Sequence, residues 1–255
     1  MNVLRKTYRY FADRPFQKGT VLKGCYKIVE LIGTGSYGMA YLCRDLNASE
    51  YRVVKQLRPS KLKENEMFIR EIDLLKKLDH PGIPKLHDHF LHEQAAIYVM
   101  DYIEGENAEE KIFVSDSTFT ENEALLLLSS LVDIIEFLHE QHVYHLDLRI
   151  PNIMLKNGNT YLIDFGLAVD AASEPETVQK EMRKQDYYDM GDVLLYLLYT
   201  TFNSKQKKAL PWTEELSLSG ETVHMLKKLL GLIQPYENAD ELRKDLLAAI
   251  KATSN

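Results

Sequence analysis

The rhythm of apolar positions changes once along this chain, near Gly105. Before it, residues 26–32, 39–43, 52–57, 84–90 and 95–100 form short runs rich in β-branched and aromatic side chains, parted by glycine or polar turns. That pattern predicts five strands. One longer stretch, 63–78, carries Phe68, Ile72, Leu75 and Leu78 on an apolar stripe and predicts a helix. It is expected to stop at Asp79-His80-Pro81-Gly82, because proline and glycine both end helices. After Gly105 helical spacing takes over. Thr120 followed three residues later by Glu123 is a capping-box pattern, and Leu128, Leu131, Val132, Ile135 and Leu138 then recur on one face. Residues 186–199 are apolar nearly all round, the mark of a helix buried in a core. Residues 221–233 and 240–250 complete the helical half. The expectation is an α+β, two-lobed chain with its chemistry between the halves. A five-stranded N-lobe with one helix (19–100) and a mainly helical C-lobe (106–255) meet at a hinge, 101–105, behind an N-terminal arm, 1–18.

Length and composition narrow the classes. The 255 residues suit one large domain or two closely packed lobes, with 45% hydrophobic and 27% charged residues as in soluble proteins. A net charge of −7 argues against a nucleic-acid binder that neutralises phosphates. Cys25 and Cys43 form neither a disulfide framework nor a metal-ligand spacing, which fits a reducing, cytoplasmic setting. Residues 125–138 are interrupted by Ser129, Ser130, Asp133 and Glu136, so they read as a core helix and no transmembrane segment is expected. The arm lacks a signal-peptide apolar region. Its Val3, Leu4, Tyr8 and Phe11 lie at helical spacing beside Arg5, Lys6 and Arg9. It is expected to pack on the domain, with weak membrane-surface contact as the alternative.

Chemistry enters with Gly33-Thr34-Gly35-Ser36-Tyr37-Gly38. This glycine spacing also occurs in dinucleotide-binding folds, but there a helix must follow to bring its N-terminus to a pyrophosphate. Here the chain continues as a strand, so the glycines make a flap whose backbone can approach phosphates closely. Lys55 ends the run Val53-Val54 beside that flap. Glu71 lies in line with Leu75 and Leu78 on the mainly apolar stripe of the following helix, a costly place for a carboxylate without a cation. Lys55 is its natural partner. Farther on stand His145-Leu146-Asp147-Leu148-Arg149-Ile150-Pro151-Asn152 and, after a predicted strand, Asp164-Phe165-Gly166.

With these motifs in this order the chain resembles the eukaryotic-type, or Hanks-type, protein kinase family, most of all its small soluble bacterial serine/threonine kinases. The likeness runs from about Gly19 onward. It implies transfer of the γ-phosphate of ATP, with Mg2+, to a protein hydroxyl of serine or threonine. By resemblance Asp147 accepts or orients the hydroxyl proton, Asn152 and Asp164 bind magnesium, and Lys55, held by Glu71, steadies the non-transferred phosphates. Arg149 places a cation near the γ-phosphate. The nucleotide is expected against Ile32, the Gly33 to Gly38 backbone, Ala40 and Val53 above, Met154 below, Met100 as gatekeeper, and backbone groups of Asp101 and Ile103. Ala40 and Val53 stand as an inverted pair relative to the family's usual valine and alanine, which conserves volume.

There are departures. Leu146 stands where the family commonly has an arginine that receives an activation-loop phosphate, and only 19 residues separate Gly166 from Asp186, the expected buried start of the central helix. That implies no activation-loop switch. Pro175-Glu176 reads either as a remnant of the A-P-E motif or as a helix start, and Arg243 matches poorly the arginine that pairs with that motif. His87, His89 and His92 read as ordinary strand and loop histidines rather than a metal site, and His139 and His142 as helix-end residues. Glu104, Glu106, Glu109 and Glu110 read as a solvated rim, with attraction of basic peptides as a second option. Two other functions compete: a kinase-fold phosphotransferase acting on a small molecule, and a non-catalytic pseudokinase scaffold.

Overall fold

A computed structural model describes residues 14–35, 38–58, 65–92, 95–203 and 210–254. They form two compact units: one holds residues up to Asp79 and Pro84–Ile103, the other His80–Ile83 and everything from Glu104 onward. Residues 1–13, and with them most of the arm, lie outside the described residues.

The first unit is a six-stranded antiparallel sheet in the order β1-β2-β3-β4-β6-β5. Its strands are β1 (Val21–Leu22), β2 (Tyr26–Thr34), β3 (Gly38–Asp45), β4 (Glu50–Leu57), β5 (Leu86–His92) and β6 (Ala95–Asp101). The count corrects the expected five. The two-residue β1 lies between turn residues and is too short to show an alternation of its own. Strand alternation divides the sheet into two faces. Met39, Tyr41, Cys43, Val54, Ile97 and Val99 point to one and are buried with Leu22 and Ile28. Phe16, from the described end of the arm, packs there with its ring 5.3 Å from Tyr41. The other face carries Ala40, Val53, Lys55, Tyr98 and Met100. Register pairs put Ala40 opposite Lys55, Lys55 opposite Tyr98, and Val53 opposite Met100. Helix α1 (Asn65–Lys77) covers this face, with the Phe68 and Tyr98 rings 5.1 Å apart.

The second unit is built on helices. In chain order these are α2 (Ala108–Phe113), α3 (Glu121–Glu140), α4 (Glu176–Tyr199), α5 (Trp212–Glu215), α6 (Gly220–Leu229) and α7 (Ala239–Thr253). The α3 capping box forms as expected: Thr120 accepts from the Glu123 amide while Glu123 accepts from the Thr120 amide. Short strands β7 (Glu106–Asn107), β9 (Ile153–Lys156) and β10 (Asn159–Leu162) make a three-stranded sheet, and β8 (Val143–Tyr144) pairs with β11 (Val169–Asp170). Residues 80–83 join this unit because Gly82 lies against Ile134, where a Cβ would come within 2.7 Å, and its carbonyl accepts from Leu162. Gly105 is equally constrained, since a Cβ there would meet the Leu155 carbonyl at 2.3 Å.

The central helix starts ten residues earlier than expected, at Glu176 rather than Asp186. Apolar patterning marks only the buried part of α4. Its first turns, Glu-Thr-Val-Gln-Lys-Glu-Met-Arg-Lys-Gln, are largely polar, made mostly of good helix formers with no glycine or proline to stop them. Pro175 occupies the N-cap, so Pro175-Glu176 is the start of a helix. Arg243 pairs instead with Asp133 and Glu136 of α3.

Candidate active site

In the first unit the glycine segment joins two strands. Gly33 faces Ala40 and Thr34 faces Met39 across the β2–β3 ladder, and the Gly35 amide donates to the Gly38 carbonyl at 2.9 Å. No helix follows, which removes the dinucleotide-binding reading. A Cβ on Gly38 would stand 2.9 Å from the Gln56 carbonyl, so only glycine lets β3 and β4 close there. Ser36 and Tyr37 lie outside the described residues.

Lys55 and Glu71 meet as expected. The ammonium lies 2.8 Å from Glu71 Oε1, and the carboxylate is 5% exposed. Tyr98, two residues before Met100 and therefore on the same sheet face, donates its buried hydroxyl to the same oxygen at 2.7 Å. Two donors from neighbouring strands thus fix one carboxylate oxygen of α1. Burial and the Glu71 charge hold the Tyr98 phenol well above its ordinary pKa, so it stays a donor. Tyr98 was legible from alternation alone, yet no motif drew attention to it.

Asp101 and Ile103 sit where the sheet ends. The Asp101 carboxylate contacts His87 Nε2 at 2.6 Å, lies 3.5 Å from Arg52 and accepts from the Lys85 amide at 3.0 Å. His87 is therefore a side-chain partner of Asp101, and His80, His87, His89 and His92 form no metal cluster among the described residues. Ile32 is exposed at 46%, whereas Val53 and Met100 are buried.

In the second unit the residues around Asp147 are held by one buried carboxylate. Asp186, fully buried, accepts from the Leu146 amide at 2.8 Å, from the His145 amide at 3.2 Å, and contacts His139 Nε2 at 2.8 Å. These bonds hold Leu146 at a φ of 58°, a left-handed conformation unusual for a residue with a Cβ. Its side chain offers nothing to a phosphate. Asp147 then faces Asn152, whose amide donates to the Asp147 carbonyl at 2.9 Å and to its Oδ2 at 3.0 Å. That leaves the oxygen of the Asn152 amide as a metal-ligand candidate. Arg149 Nε lies 3.9 Å from Asp147 Oδ1. Met154 sits in β9, and Asp164 follows β10 in a left-handed conformation, φ 64°. His145 is fully buried against Phe165, ring centroids 5.0 Å apart, and burial pushes its imidazole below the ordinary pKa, so it is neutral.

Asp189 was not foreseen. One turn beyond Asp186 on α4, it accepts from Gln185 at 2.7 Å and from the Leu148 amide, and burial pushes its carboxyl up to about 6. No motif marks it; only the packing of α4 against residue 148 does.

Comparison with known proteins decides the family. A family model described as Protein kinase domain matches residues 26–190, more than half of the chain. The chain belongs to the protein kinase family. It is 44% identical over 245 residues to the "Probable serine/threonine-protein kinase YbdM" of Bacillus subtilis, covering 95% of this chain and 96% of that protein. It is 30% identical over 151 residues to serine/threonine-protein kinase cds1 of Schizosaccharomyces pombe, covering 56% of this chain and 33% of that protein. Against serine/threonine-protein kinase PrkC of Bacillus subtilis it is 26% identical over 273 aligned positions, covering 92% and 42%. Thus the kinase chain spans nearly all of YbdM but less than half of the other two. No described helix is long and apolar enough to cross a membrane.

Proposed function

We propose that this kinase transfers the γ-phosphate of ATP to serine or threonine hydroxyls of a protein, in the presence of magnesium, and that it does so in the cytoplasm. The observation that carries the reading is the segment around Asp147. A proton acceptor beside a cation, Arg149, and an amide-held neighbour, Asn152, are tied through two backbone amides to one buried carboxylate. Such bracing keeps a catalytic group positioned before substrate arrives. The likeness to YbdM supports the serine/threonine acceptor.

The roles follow from chemistry. The Asp147 carboxylate takes the hydroxyl proton as the oxygen attacks the γ-phosphorus, and ADP leaves with the electron pair of the broken P–O bond. Lys55, oriented by Glu71, meets the phosphates that stay behind, and Arg149 offsets charge on the one that moves. The donor set suits magnesium: Asn152 and Asp164 offer hard oxygens, few in number, as that ion prefers, and bound there it would neutralise phosphate oxygens. The backbone of Gly33 to Gly38, with Ile32, Thr34, Ala40, Val53, Met100, Met154 and the 101–103 backbone, is assigned to the nucleotide. Ser36 and Tyr37 belong to the same assignment from sequence alone.

A small-molecule acceptor is the second reading, favoured by one observation: only nine residues, 167–175, lie between Gly166 and α4. The test is transfer of radiolabelled γ-phosphate to generic protein acceptors and, in parallel, to aminoglycosides. Label on protein serine or threonine, abolished by a magnesium chelator, is expected. Label on the aminoglycoside alone moves the assignment to the second reading, and no transfer at all supports a pseudokinase.

A further inference from the structure

Strand β6 carries one hydroxyl that the proposed transfer does not use. Residues 95–100 read Ala-Ala-Ile-Tyr-Val-Met, so Tyr98 supplies the only hydroxyl in an otherwise apolar run. Its side chain is 0% exposed, in a strand flanked on both sides by β4 and β5. A phenol buried that far costs stability unless its O–H is satisfied, and phenylalanine would fill the same space without that cost. Packing alone therefore does not explain the oxygen.

Its surroundings do. Tyr98 stands opposite Lys55 across the β4–β6 ladder, with the ammonium 5.7 Å from the ring centroid. The ring also packs on Phe68 of α1, and Glu71 lies three residues after Phe68, on the same helix face. The hydroxyl ends 2.7 Å from Glu71 Oε1, the same oxygen that Lys55 Nζ meets at 2.8 Å. Tyrosine has one proton to donate, and here Glu71 receives it. Burial and the Glu71 charge hold the phenol well above its ordinary pKa, so that proton stays in place at neutral pH. Lys55 is a different kind of donor. Its ammonium has three N–H groups on a flexible stem, and in the proposed transfer it serves phosphate oxygens as well as Glu71. Tyr98 is the donor that the fold commits to the carboxylate, because its ring is packed against α1 on a strand with neighbours on both sides.

We infer that Tyr98 is a positioning residue for phosphate transfer: its hydroxyl fixes the Glu71 carboxylate and, through it, the Lys55 ammonium that meets the departing ADP. The inference rests on the protein-kinase reading above. In that reaction the acceptor oxygen bonds to the γ-phosphorus, its proton passes to Asp147, the bond from phosphorus to the β–γ bridging oxygen breaks, and ADP leaves with the electron pair. Charge on the phosphates that stay behind grows as that bond breaks. A displaced cation therefore costs turnover more than it costs nucleotide affinity.

The test compares the full-length parent with Tyr98→Phe, Glu71→Ala and the double variant. Two quantities are measured at a temperature where all four are folded: kcat and KM for MgATP on a protein acceptor, and hydrogen exchange of the α1 amides without nucleotide. Tyr98→Phe should lower kcat by about ten-fold while KM moves by less than about three-fold, and α1 should exchange about ten-fold faster. Added to Glu71→Ala, the same substitution should change kcat and exchange by no more than about two-fold, because the carboxylate through which the hydroxyl acts is gone. A purely structural role would lower the melting temperature and leave kcat of the folded enzyme at the parent value. That result, or an equal loss in both backgrounds, overturns the inference while the kinase reading stands. Absence of transfer by the parent to every acceptor overturns that reading and the inference with it, and α1 exchange then reports separately whether the hydroxyl holds Glu71.

Discussion

Asp189 is ionised at neutral pH only against the cost of its surroundings. Desolvation is the largest influence on it, and the charges of Asp186 and Asp192 act in the same direction. Below about pH 4 the carboxyl is protonated in the folded and unfolded chain alike. Between there and about 6 the folded protein holds a proton that the unfolded chain has released, so stability falls as pH rises through that window. Asp189→Asn keeps an acceptor for Gln185 or Leu148 without the charge. Thermal melts of parent and variant should therefore diverge between pH 4 and pH 7, the parent losing ground as pH rises; a difference constant across that range would contradict the account. This residue also marks the limit of sequence reading. Asp147, Asn152, Lys55 and Glu71 were legible because the chemistry fixes their types and spacing. Asp189 and the His87–Asp101 contact were not, and for Tyr98 alternation gave the face but not the role, because their importance comes from what tertiary packing places against them.

Helix α4 carries the same lesson at the level of an element. Its buried part was legible from continuous apolar positions, and Asp186 was expected as its anchor. Its exposed first turns have no periodic signal, and helix propensity in a polar stretch is a weak guide until something outside it fixes the start. The consequence is functional. With the helix beginning at Glu176, the segment that regulates many kinases shrinks to residues 167–175, of which Ser173 alone carries a hydroxyl, and Thr177 lies already in the first turn. Lys180 and Arg183 are turned to Glu237, and Lys184 to Glu181. Leu146 gives a phosphate no donor. The Ser173→Ala, Thr177→Ala double variant, treated with phosphatase, should match phosphatase-treated and untreated parent in initial rate. A ten-fold drop, about 1.4 kcal/mol of transition-state stabilisation, confined to the dephosphorylated or alanine forms would restore a switch.

For the whole molecule, the fold class was legible because the change from strand rhythm to helix rhythm is abrupt at Gly105 and the motifs fall in one order across it. Each unit holds its own half of the candidate groups: Lys55, ion-paired to Glu71 of α1, in the first, and the Asp147 segment, tied by the Leu146 amide to Asp186 of α4, in the second. The claim that joins them is that Asp147 performs phosphate transfer while other residues hold the nucleotide. Its most direct test is Asp147→Asn measured for turnover on a protein acceptor and for MgATP affinity in one preparation. Asparagine keeps the shape and the contact with Asn152 but cannot take a proton, so turnover should fall by about 10²-fold or more with affinity little changed. Unchanged turnover would remove Asp147 as the proton acceptor and with it the mechanism set out here.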